Sequence, residues 1–129
     1  MDDKQLLLEE WKERYASYRA YRTQYLSFLS FAAATYVIAL ALGLDPQKGA
    51  QVRFVVVTLL LILVVCMIFA HVIARSVIRE LGDRMERLER QLGISAFRTT
   101  RMLERSLVVG FASCMLALCL TIGILIAIL

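Results

Sequence analysis

Three stretches of this chain run for 20 residues or more without one Lys, Arg, Asp or Glu: residues 25–44, 54–74 and 106–129. Hydrocarbon offers no partner to backbone N–H and C=O groups, so a segment crossing it must bond them internally. A helix of about 20 residues does so across roughly 30 Å. A helix on a soluble core keeps a polar face toward water, and none of the three stretches has one. Hydrophobic residues make up 60% of the 129, against roughly half in a soluble domain. The fold expected is an all-α membrane protein with transmembrane helices at 25–44, 54–74 and 106–129, in one domain. Ala39-Leu40-Ala41 has the small residues of a leader cleavage site. The 24 residues before the first stretch, however, carry five acidic and five basic side chains, unlike a short basic leader.

The distribution of charge orients these helices. Of 15 Lys and Arg, five precede the first span, two (Lys48 and Arg53) lie between the first and second, eight lie between the second and third, and none follow. Short loops rich in Lys and Arg stay in the cytoplasm. The expectation is a multi-pass protein of the cell membrane with a cytoplasmic N-terminus, an external loop at 45–53, a cytoplasmic segment at 75–105 and an external C-terminus. Orientation accounts for thirteen of the fifteen positive charges, and so for the net charge of +4. The lipid bilayer is the expected partner; nucleic acid is not.

The polar segments also read as helices. No Gly or Pro interrupts Asp2 to Leu42, and Asp2 and Asp3 suit the positive end of a helix dipole. Leu8, Trp11, Tyr15 and Tyr18 recur at three- and four-residue spacings, and Glu10 and Arg14 stand four apart. This amphipathic helix at 1–24 either enters the first span as one rod or bends at the membrane surface. Leu44 to Gly49 is a turn holding the only proline, which forces the first two spans into an antiparallel hairpin. Beyond the second span, Ile78, Leu81, Met85, Leu88 and Leu92 form a heptad seam that Ala74 and His71 extend backward. Arg79 with Asp83, Glu80 with Arg84, Asp83 with Arg87, and Glu86 with Arg90 stand at ion-pair spacing, worth about 0.2–0.5 kcal/mol each. Gly82 is expected at a close contact. Gly93 is the expected helix stop, with Ile94 closing a hydrophobic C-cap. Ser95, or else Thr99 or Thr100, caps the next helix, which runs through Arg98, Arg101 and Arg105 into the third span. Residues 75–105 are therefore a helical hairpin, and with residues 1–24 they extend the membrane helices as one elongated bundle.

Few side chains are candidates for chemistry. Trp11, Tyr15, Tyr18 and Tyr25, interleaved with Arg19 and Arg22, read as a membrane-interface belt or as a docking surface for a partner or anionic lipid. Gly110, Ser113, Cys114, Ala117 and Thr121 share one face of the third span, and Gly123 with Ala127 repeats a small-xxx-small spacing. Ala39 and Gly43 form a similar notch on the first. Small residues let membrane helices approach closely, either within the chain or between copies. Cys66, Cys114 and Cys119 read as small hydrophobes.

His71 is the one imidazole or carboxylate within the spans. It reads as a histidine near the interface that bonds a neighbour, or as an axial haem ligand completed by a partner subunit. With His71 on the second span and Asp83 further along, the chain resembles the membrane-anchor subunits of succinate dehydrogenase, which are similar in size and span count. That resemblance implies an anchor subunit of a respiratory complex, with haem as its cofactor. The glycine and tyrosine that accompany the pair in that family are missing here, and the cytoplasmic loop is longer. Bacterial effector families with a charged cytoplasmic helix look broadly similar, and phage holins can have three spans. The rest of the chain calls for no cofactor.

No nucleotide loop, metal-ligand cluster or nucleophile–base pair stands in the sequence, so no enzyme is expected. A secondary transporter would need a buried carboxylate. The function expected is that of a non-enzymatic integral membrane protein that self-assembles into an oligomer. Its contacts would be the seam of Ile78, Leu81, Met85, Leu88 and Leu92, a coiled-coil pattern, and the face of Gly110, Ser113 and Ala117. A structural, effector or pore-like role would follow, although no span has a strongly polar face. The alternative is an accessory or anchor subunit of a larger membrane complex.

Overall fold

The computed structural model describes the backbone of residues 2–94 and 97–128, and the side chains of these apart from 97–104. It holds three helices, α1 (Asp3–Leu44), α2 (Ala50–Leu92) and α3 (Phe97–Ile128), and no strand among the described residues. The polar and apolar halves of α1 are one continuous rod, as are those of α2. With 42 and 43 residues, these rods are about 63 and 65 Å long at 1.5 Å per residue. That is roughly twice the thickness of a bilayer's hydrocarbon core. All three helices are long and apolar enough to cross a membrane.

The linker between α1 and α2 is set by local chemistry. Asp45 precedes Pro46, which disfavours helical backbone at the residue before it, and Asp45 is extended at ψ 113°. Its carboxylate accepts the Gln47 N–H at 2.9 Å and its carbonyl accepts the Lys48 N–H at 3.2 Å. This tight turn leads into α2 at Ala50, within the segment expected as loop. At the other end of α2, Gly93 takes the left-handed conformation (φ 73°). Its N–H donates to the Arg90 carbonyl at 3.4 Å, and the Ile94 N–H donates to the Glu89 carbonyl at 3.0 Å. This is a Schellman closure. The sequence expected the Ile94 side chain to close it as well, but that side chain is exposed. Ser95, the first cap considered for the next helix, lies outside the described residues. Thr99 and Thr100 lie within α3 rather than ahead of it.

The bundle forms around interior stripes of near-heptad spacing. On α1 the stripe is Tyr18, Tyr25, Leu29, Ala32, Tyr36 and Gly43. On α2 it runs from Val56 through Leu60, Val64, Met67, His71, Ala74 and Ile78 to Met85 and Leu88. On α3 it is Ser106, Gly110, Cys114, Ala117 and Thr121. A 3.5-residue repeat keeps one seam facing a partner along the length of a helix. α2 is the central element, packed against both others, while α1 and α3 meet least. Because α2 has two neighbours, its interior face is wider than a single seam. Gly82 and Glu89 are buried beside Met85, while Leu81 and Leu92 are only half-buried. Ile78 and Met85 are 0% exposed within the single chain.

Only glycine adopts Gly93's φ without strain. Gly93→Ala should therefore lower unfolding stability by about 1 kcal/mol, measured by denaturant titration in detergent micelles. Gly49→Ala, at a negative φ of −64° with open space around its Cβ position, should leave stability unchanged.

Candidate functional site

Polar side chains buried among apolar ones must find partners, because an unpaired group costs about 1–3 kcal/mol. Three such contacts join the three helices pairwise. Tyr25 of α1 and His71 of α2 meet first: the phenol oxygen lies 2.7 Å from Nδ1. The phenol donates when the imidazole carries its proton on Nε2, and accepts in the other tautomer. The two residues are 6% and 8% exposed. On α3, Gly110 faces them. A Cβ built on Gly110 would fall on the Tyr25 hydroxyl and lie 2.9 Å from His71 Nδ1. The pair thus fits only because α3 carries hydrogen there. The Phe111 ring adds a tilted contact with the imidazole, centroids 6.1 Å apart.

About three turns along α1, Tyr36 ties α1 to α3. Its hydroxyl lies 2.9 Å from the Ala117 carbonyl and 2.7 Å from Thr121 Oγ1, which lies 2.8 Å from the same carbonyl, so one hydroxyl donates to the carbonyl and the other to its fellow hydroxyl. This tie spans the helix pair with the least other contact. The third is weaker: the Cys114 thiol of α3 reaches the Met67 carbonyl of α2 at 3.6 Å. Elsewhere in the apolar stretches, Ser30, Thr35, Thr58 and Ser113 donate to the carbonyl four residues back. Such back-bonding satisfies a hydroxyl within its own helix.

The expected interface belt divides. Tyr18 and Tyr25 point into the bundle, Arg19 is exposed, and Arg22 is half-buried. Trp11 and Tyr15 stack at 5.3 Å, 12° from parallel. Tyr18 differs from Tyr25 in having no hydrogen-bond partner for its hydroxyl among the described residues. Burial pushes its phenol above the ordinary tyrosine range, with the Arg22 guanidinium pulling the other way. Of the small-residue face of α3, Gly110, Cys114 and Ala117 are interior and Ser113 is half-exposed. The neighbouring pair Gly123 and Ala127 is exposed, and a Cβ on Gly123 would meet nothing within 4 Å. The heptad-seam residues Ile78, Met85 and Leu88 are buried within the chain. At expected ion-pair spacings, Arg84 meets Glu80 and Arg90 meets Glu86, both at 2.6 Å. Arg87 turns instead to the Asp83 backbone carbonyl at 3.4 Å. Sequence reasoning missed the Tyr25–His71 and Tyr36–Thr121 contacts. The available signal was that both tyrosines share the 3.5-residue stripe of Leu29 and Ala32.

Of the two ring nitrogens of His71, only Nε2 is left for the axial haem ligand read in the sequence. Nδ1 is held by Tyr25, the ring is covered by Phe111 and the Gly110 backbone, and the residue is 8% exposed. The class defined by fold and site is an all-helical, three-helix protein whose helices are apolar enough to span a membrane and are cross-tied by buried hydroxyls. The chain matches no family model, no curated protein and no solved structure.

Three substitutions separate these roles. Tyr25→Phe strands His71 Nδ1 and should cost about 1–2 kcal/mol. Tyr18→Phe removes an unpartnered hydroxyl and should be neutral or stabilising by up to about 1 kcal/mol. Gly110→Ala should cost at least about 2 kcal/mol by overpacking, with part of the loss recovered in the Tyr25→Phe background. Denaturant titration of the wild type, the three single variants and the double variant in micelles checks all three.

Proposed function

We propose that this chain is a non-enzymatic integral membrane protein that works by association, assembling with copies of itself through the outer face of α3. The observation that carries the reading is the unfilled notch at Gly123 and Ala127, where a side chain at Gly123 would meet nothing within 4 Å. It lies along an open groove walled by Gly43, Leu44, Cys119 and Leu120. In a bilayer, apolar surface gives helices no reason to leave lipid, and close backbone approach at small residues supplies the attraction. Of the other contacts read in the sequence as assembly surfaces, Ile78, Met85, Leu88, Gly110 and Ala117 are buried inside the chain, and Leu81, Leu92 and Ser113 are half-buried. That leaves the Gly123 face for a neighbour.

Orientation follows from charge. Thirteen of the fifteen Lys and Arg lie in residues 1–24 and 75–105, in the parts of α1, α2 and α3 outside the charge-free stretches and in the link between α2 and α3. Placing these segments in the cytoplasm gives a cytoplasmic N-terminus and an external C-terminus. The role this supports is structural or effector-like. In the charge-free stretches the buried hydroxyls of Tyr25, Tyr36 and Thr121 are engaged with His71, with one another or with the backbone, so they form no continuous polar lining among the described residues.

Native mass measurement of the full chain in lipid nanodiscs tests the proposal. A defined homo-oligomer is expected, shifting toward monomer in Gly123→Leu with helix content and melting behaviour unchanged. Ile78→Asn, by contrast, should lower the stability of each chain by about 3 kcal/mol or more. A wild-type monomer would overturn self-assembly and favour the accessory-subunit reading. An oligomer indifferent to Gly123→Leu would remove α3's outer face from the interface.

A further inference from the structure

Where the charge-free stretch of α2 ends, at Ala74, its next exposed turns carry Arg75 and Arg79. These stand four apart and continue the line of His71. Neither guanidinium has a hydrogen-bond or ion-pair partner among the described residues. Asp83 stands four residues beyond Arg79, yet the two do not pair, although Arg84 and Arg90 on the same helix take carboxylates at that spacing. Between α2 and α3 the two arginines border an open groove of about 450 Å³, whose remaining walls are His71, Leu107, Val108 and Phe111. Val108 and Phe111 are 65% and 56% exposed, so the apolar wall faces outward. The groove is thus cationic toward the charged end of the bundle and greasy toward the apolar end.

We infer that this groove holds one anionic glycerophospholipid, its phosphate between Arg75 and Arg79 and an acyl chain along Leu107, Val108 and Phe111. Guanidinium groups bind phosphate oxygens bidentately with charge-assisted hydrogen bonds. On the proposed membrane reading, on which this inference rests, the end of the charge-free stretch is also the depth of the headgroups. Basic pockets between membrane helices on the cytoplasmic side are suited to such lipids. A free phosphate would satisfy the arginines but leave the α3 wall uncovered. A zwitterionic lipid would bring its own cation to the two guanidiniums.

The test uses the full chain reconstituted into vesicles of phosphatidylcholine containing one-fifth phosphatidylglycerol. Flotation is followed by gentle detergent extraction and native mass spectrometry. The expected result is a chain that floats with the vesicles and retains phosphatidylglycerol in preference to phosphatidylcholine. Retention should fall about five-fold in Arg75→Gln or Arg79→Gln and about thirty-fold in the double variant. Arg84→Gln with Arg90→Gln, the same loss of charge elsewhere, should leave it unchanged. Val108→Trp, which fills the groove and keeps both arginines, should also lower it, so the outcome does not rest on one variant's folding. Inorganic phosphate in excess should not displace the lipid. A floating chain with no preference between the lipids, with retention indifferent to the arginines, or with lipid displaced by inorganic phosphate overturns the lipid site alone. A chain that fails to float overturns the membrane reading with it.

Discussion

The 2.7 Å contact between the Tyr25 hydroxyl and His71 Nδ1 is the constraint around which the bundle is arranged. Either group, alone in apolar surroundings, would carry the penalty of an unsatisfied polar atom. Each satisfies the other only if α1 and α2 sit at one rotation and one axial register. The same contact dictates α3, because the helix passing over it must present hydrogen at residue 110. Tyr36 then fixes the second helix pair from the same stripe of α1, eleven residues along. Dispersion between branched side chains holds many registers nearly equally well; two directional contacts on one helix select among them.

The elements that follow from repeated patterns were legible in the sequence. Charge-free length marked the three apolar stretches, and the 3.5-residue period marked the interior face of α2 from His71 to Leu88. The turn at Asp45-Pro46 and the stop at Gly93 depend on chemistry confined to two or three residues. The width of α2's interior face was not legible. Gly82 and Glu89 are buried with it, and no local pattern announces that α2 packs against two helices. The hydroxyl contacts were hidden for a related reason. Tyr25 has the composition of an interfacial anchor, and only rotation of α1 by its whole stripe decides that it faces His71 rather than headgroups. The small residues of α3 divide on the same principle. Gly110 is required by a neighbour inside the chain, whereas Gly123 has open space.

This division shapes the functional reading. In the apolar stretches Tyr25, His71, Tyr36 and Thr121 tie helices together, while Ser30, Thr35, Thr58 and Ser113 bond their own helix, which leaves the outward surface to determine what the protein meets. Among the described residues that surface includes the open notch at Gly123 and Ala127 and the pair of guanidiniums, without partners there, beside the α2–α3 groove. One suits a helix of a second copy, the other an anionic lipid. The groove borders the Tyr25–His71 contact through His71, and both features depend on that contact, since it sets how α3 lies against its neighbours.

The most direct measurement of this arrangement is a through-space dipolar correlation between the ring carbon bearing the hydroxyl of Tyr25 and Nδ1 of His71. It would be recorded by magic-angle-spinning NMR on selectively labelled protein in lipid bilayers. A strong correlation is expected, with a His71 Nδ1 shift that moves on Tyr25→Phe. Absence of the correlation in folded protein, together with an Nδ1 shift indifferent to Tyr25→Phe, would contradict the arrangement.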